Sequence, residues 1–132
     1  MPEAAERIEL SVPLDDDFGG VIRLVAGGIA EQASFGFEAM DDLQLALERL
    51  LAETGEQDRV EIAFELNDGA VRARVGPVAE GRIGHLLSSP DGETGTLGLR
   101  RVLTAVVDSF GVEPAGDGQI VVRLEKLGTP RP

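Results

Sequence analysis

The chain contains no cysteine and a single histidine, His85. The first absence excludes disulfides and thiolate metal sites. The second excludes a multi-histidine zinc centre and argues against a Ser-His-Asp triad; His85 reads as a loop histidine without a role. Basic residues are scarce: twelve Lys and Arg stand against twenty-four Asp and Glu, a net charge of −12. That balance argues against a phosphate-backbone partner, which needs cations to displace counterions. It suits either plain surface solvation or a basic protein partner. No apolar run approaches the ~20 residues that span a membrane. The opening MPEAAERIEL has neither a basic n-region nor an apolar h-region, so no signal peptide is read and the cytoplasm is the expected location.

What is present is the composition of one soluble domain, 42% hydrophobic and 27% charged over 132 residues. The domain is read as 7–127, with 1–6 and 128–132 as flexible tails. IELSVP (8–13) alternates Ile8, Leu10 and Val12 with polar neighbours, a strand closed by Pro13. Asp15 or Asp16 can cap a first helix over 17–33, with an inner stripe of Phe18, Val21, Ile22, Val25 and Ile29. Its outer face carries Gly20, Arg23, Leu24, Gly27 and Glu31. Glycine inside a helix costs ~1 kcal/mol relative to alanine. Gly20, Leu24 and Gly27 are therefore candidates for close packing, against either a partner chain or another element of this one.

After the turn SFGF, a second helix (38–54) has Leu43, Ala46, Leu47, Leu50 and Leu51 as its stripe. Asp42, Arg49 and Glu53 line one flank of it. That flank is either a solvated edge or the wall of a binding site. RVEIAFEL (59–66), NDG and AVRARV (70–75) read as a hairpin. Residues 76–95 read as a long loop with room for one short helical turn. A third helix is expected over 96–110, with Leu99, Val102, Leu103, Val106 and Phe110 inward and Gly111 ending it. A closing hairpin over 111–127 turns at AGDG. The order β-α-α-β-β-loop-α-β-β predicts an α+β two-layer sandwich, a mainly antiparallel sheet with helices on one face.

Three stretches in this order carry a resemblance: the opening block IELSVPLDDDFGGVIRLVAGGIAEQASFGFEAMDDLQLALERLL, then TLGLRRVLTAVVDSFGV, then GDGQIVVRLEKL. Together they resemble the GHKL (Bergerat-fold) ATPase domain of anti-sigma-factor serine/threonine kinases, over about residues 8–127. The resemblance implies a general base and an Mg²⁺-binding asparagine on the second helix; those positions fall on Arg49 and Glu53. It implies an aspartate accepting the adenine amino group; that position falls on Gly76 or Pro77, with Glu80 and Gly81 slightly late. It implies a glycine run cradling phosphates, matched by Gly95, Gly98 and Leu99 but with Thr96 at one usual glycine. A guanidinium stays protonated at any working pH and cannot act as a base. Each lost polar ligand contact is worth ~1–3 kcal/mol.

The expectation is a pseudokinase: no catalytic residue, no metal and no cofactor. Such a domain would bind a sigma factor, a STAS-type anti-anti-sigma protein or a paralogous kinase, and form a homodimer in the manner of the resembling family. Arg23, in VIRL, matches the first-helix arginine that this family uses on its partners. The alternative is an active kinase binding ATP and Mg²⁺, with Glu48 or Glu53 as base or metal ligand.

Overall fold

The computed structural model describes residues 6–14, 18–54, 57–67, 69–88 and 98–128, and only the backbone of Phe18. The expected Asp15/Asp16 cap and the outer parts of both tails lie outside these. The elements are β1 (Glu6–Pro13), α1 (Phe18–Gln32), α2 (Phe37–Ala52), β2 (Arg59–Asn67), β3 (Ala70–Ala79), α3 (Gly81–Ser88), α4 (Leu99–Val106), β4 (Ser109–Gly116) and β5 (Gln119–Leu127).

The five strands form one sheet in the order β1-β2-β3-β5-β4, with every neighbouring pair antiparallel. Alternation decides the two faces. Val60, Ile62, Phe64 and Leu66 of β2 are buried, as are Val71, Ala73 and Val75 of β3 and Ile120, Val122 and Leu124 of β5. They meet the buried stripe of α2, which is Leu43, Ala46, Leu47, Leu50 and Leu51 as the heptad-like spacing predicts. The opposite face is open and charged. There Glu65, Arg72 and Glu125 stand in register across β2, β3 and β5, and Glu113 accepts from both Arg74 (3.4 Å) and Arg123 (3.2 Å). The architecture is thus the α+β two-layer sandwich with helices on one face.

Four local expectations need correction. In α1 the inward side is Ile22, Ala26, Ile29 and Ala30, continued by Ala33 just after the helix, while Val21 is exposed; small alanines let the helix lie close to the sheet, and hydropathy underrates them. β3 continues through the segment read as loop. A register shift between Val75 and Val78 turns both inward across Gly76 and Pro77, which breaks the two-residue period and hides the strand. Residues 81–88 form a two-turn helix, α3, anchored by buried Ile83 and Leu87 at i,i+4. The third long helix ends at Val106, not Phe110. Val107 is already extended, and 109–116 pair with β5 instead, placing Phe110 opposite Leu124. Gly111 is therefore a strand residue. At the domain's edges, β1 includes Glu6, and the Gly128 N–H donates to the Gly69 carbonyl at 2.8 Å.

Candidate functional site

The flank of α2 that carries Asp42, Arg49 and Glu53 faces two different elements. Near the start of the helix, Asp42 Oδ2 accepts from Lys126 Nζ of β5 at 3.0 Å. Lys126 sits on the inner face of the sheet with only 13% of its side chain exposed. At the other end, Glu53 forms the C-cap of α2 and pairs with Arg82 Nε of α3 at 2.8 Å. Arg49 lies between them, half-buried, one turn before Glu53. The flank is a seam of ion pairs that ties α2 to β5 and α3.

The other positions singled out in the sequence are distributed as follows. Gly98 is the extended N-cap residue of α4, and its carbonyl accepts from Val102 N at 3.0 Å. Leu99 is a core residue, 2% exposed. α4 packs on α2, so Gly98 and Leu99 belong to the same layer as Arg49 and Glu53. Gly95 and Thr96 lie outside the described residues. Gly76 belongs elsewhere: it lines a shallow depression of about 230 Å³ on the open face of the sheet, with Arg7, Glu9, Glu61, Arg74 and Glu113. Its φ is +133°, and a Cβ built there would lie 2.8 Å from the Ile120 carbonyl oxygen, so only glycine fits the bulge. Pro77 is exposed. Glu80 is exposed too, its N–H donating to the Gly118 carbonyl at 2.9 Å, and Gly81 opens α3. The sheet thus separates Gly76 from the α2 flank.

These residues do not fit an Mg²⁺–nucleotide. Arg49 offers only donors. Glu53 is engaged by a guanidinium. Gly76 has no side chain and faces away from α2. Glu48, the other carboxylate considered as a base, accepts from Arg23 Nε at 2.6 Å. His85 is exposed on α3. Among the described residues no group of three or more His, Asp or Glu stands close enough to hold a metal ion, and no helix is long and apolar enough to cross a membrane.

The outer face of α1 is built differently. Arg23 has 69% of its side chain exposed, and its pKa is raised by the hydrogen bond it donates to Glu48, by the Glu48 charge and by Asp41. The Gln44 amide donates to the Arg23 carbonyl at 3.1 Å. Gly27 lies beside that contact: a Cβ there would sit 3.6 Å from Gln44 Nε2, an ordinary van der Waals distance, so the contact does not require glycine. Gly20 and Leu24 face outward: Leu24 is 80% exposed, and no atom lies within 4 Å of a Cβ at Gly20. Lys126 and Arg82 were missed as partners of the α2 flank. Arg82 sits on a helix hidden by two glycines. Lys126 continues the inward alternation Ile120, Val122, Leu124, a signal that was available.

Comparison with known proteins gives the fold. The crystal structure of the RsbU and RsbW domains of Rv1364c from Mycobacterium tuberculosis superposes with a TM-score of 0.61 at 16% identity. The match covers 96% of this chain and 34% of that one. No family model matches the sequence, and no curated protein matches it. The superposition takes in nearly every element from β1 to β5, so the likeness is to a whole layer arrangement rather than a shared hairpin.

Proposed function

We propose that this chain is a non-catalytic regulatory domain of the anti-sigma-factor type, which acts by binding proteins rather than by transferring phosphate. The observation that carries this reading is the α2 flank. Where the resembling kinases place a base, Arg49 supplies a permanent cation. Where they place a metal-binding asparagine, Glu53 is held by Arg82 at 2.8 Å. A fold similar to a structure containing an RsbW domain supports the type. The partners proposed are a sigma factor, a STAS-type protein or a paralogous kinase, met in the cytoplasm, with a homodimer as the resting form.

Calorimetric titration with ATP, with and without Mg²⁺, tests the reading. Losing the base, the asparagine and the adenine acceptor removes several contacts of ~1–3 kcal/mol each, enough to carry a micromolar site beyond millimolar. No submillimolar binding is expected. Submillimolar, Mg²⁺-dependent binding sinks the proposal in favour of an active kinase with unusual site residues. Pull-down from the native cell with identification of the captured protein tests the partner class.

A further inference from the structure

We propose that the outer face of the α1–α2 hairpin is a docking surface for a cationic amphipathic helix of a partner protein. The inference rests on the reading of this domain as a protein-binding module and adds the charge and shape of what it binds. Among the described residues, six large apolar side chains are exposed, and four of them lie on these two helices: Val21 (37%), Leu24 (80%), Phe37 (84%) and Leu45 (40%). Phe37, Asp41 and Leu45 follow one another at i,i+4 along α2, and Gly20, Leu24 and Gly28 do the same along α1. The two rows flank a seam fixed by the Gln44–Arg23 and Arg23–Glu48 contacts, so they form one continuous face. No heavy atom lies within 4 Å of a Cβ built at Gly20 or Gly28. A third helix can therefore approach this groove at the 8–10 Å spacing of ridge-into-groove packing.

Charge selects the occupant. Between Phe18 and Thr54 there are six carboxylates and two guanidiniums. Glu31, Glu38 and Asp41 are exposed, with Glu48 beside them. Arg23, the cation that α1 directs toward α2, is already committed to Glu48 at 2.6 Å, and the Asp41 charge adds to its hold. An acidic partner or a phosphate backbone meets net repulsion here. A strand finds no unpaired edge, because both elements are helices. A helix with leucine-type residues on one side and Lys or Arg bordering them satisfies the apolar row and the carboxylates together.

The test uses the full chain and two synthetic helical peptides of about 18 residues, about five turns, one built from Leu and Lys and the other from Leu and Glu. Binding is read by calorimetry at about 0.15 M salt and mapped by amide chemical shifts. The Leu/Lys peptide is expected to bind, with shifts concentrated in α1 and α2. Leu24→Ser with Phe37→Ser is expected to weaken it at least about tenfold, as is Asp41→Lys, with circular dichroism unchanged because these side chains are exposed. Glu61→Lys, the same charge change on the open sheet face, is expected to alter binding less than about threefold, a cost within ~0.7 kcal/mol. Equal losses for Asp41→Lys and Glu61→Lys overturn the proposal, because the attraction is then diffuse charge. So does equal binding of the Leu/Glu peptide. So does a free dimer that Leu24→Ser with Phe37→Ser turns into monomers, because the face is then covered by a second copy. A native partner that binds wild type and this double variant alike overturns the docking face while leaving the protein-binding reading in place.

Discussion

Two ion pairs hold the same flank of α2, and their lengths rank them wrongly. Glu53–Arg82 is the shorter at 2.8 Å, and Asp42–Lys126 spans 3.0 Å. Burial reverses the order. Arg82 is 73% exposed, so its pair sits in near-bulk dielectric and couples by ~0.3–0.5 kcal/mol, as exposed pairs do. Lys126 and Asp42 are 13% and 29% exposed. At an effective dielectric of about 20, two charges 3 Å apart attract by ~5 kcal/mol before desolvation. Desolvation removes most of that, leaving a coupling of ~1–2 kcal/mol. The measurement is a pair of double-mutant cycles by urea denaturation: Asp42→Asn with Lys126→Met, and Glu53→Gln with Arg82→Met. Lys126→Met alone is expected to lower Tm by roughly 4–8 °C, because it leaves Asp42 shielded and unpaired. Salt near 1 M should erase the Glu53–Arg82 coupling and spare most of the other. A Glu53–Arg82 coupling equal to or larger than that of Asp42–Lys126 refutes the reasoning that burial, not distance, sets the strength of this seam.

Three further perturbations test the fold. Gly76→Ala is expected to cost ~2–3 kcal/mol by urea denaturation, from the positive φ and the 2.8 Å approach to the Ile120 carbonyl. Phe64→Ala, fully buried at the centre of β2, should cost ~3–5 kcal/mol with no change in the denaturant slope. Gly128→Ala should cost ~1–3 kcal/mol, because its Cβ would overlap the ring of buried Phe35.

The element order and sheet class were legible because burial follows period. α2 shows the 3.6 spacing without interruption, and β2 alternates cleanly from Val60 to Leu66. Legibility failed where the period is broken or shared. The bulge at Gly76–Pro77 shifts β3 by one residue, so Val75 and Val78 both point inward and no alternation survives. α3 carries two glycines in eight residues, and its buried Ile83 and Leu87 give too short an apolar pattern to show a helix. Val106 and Phe110 have helical spacing, but the edge of β5 captures 109–116, and Phe110 reaches the core from the sheet side. The site residues on α2 were legible as a flank. What each flank residue touches was not, since Lys126 and Arg82 are distant in sequence and meet α2 only through tertiary packing.

The core of α2 is carried by Leu43, Ala46, Leu47, Leu50 and Leu51, none of which belongs to either polar flank. The chemistry of a flank can therefore change at little cost to the fold. Arg49→Glu with Glu53→Asn, which restores the residue types that the resemblance implies for base and metal ligand, should remain folded, since neither side chain belongs to the buried stripe and the Glu53–Arg82 pair it breaks has an exposed cation. It should nevertheless bind no ATP below millimolar. The obstacle is topological. Gly76 lines the open face of the sheet with Arg7 and Glu9, while α2 covers the other. An aspartate at position 76 would have its Cβ against the Ile120 carbonyl and its carboxylate on the wrong side of β3. Nucleotide binding by the double variant, seen as a calorimetric isotherm that needs Mg²⁺, would show that the β3 bulge is no barrier and that α2 alone sets the site.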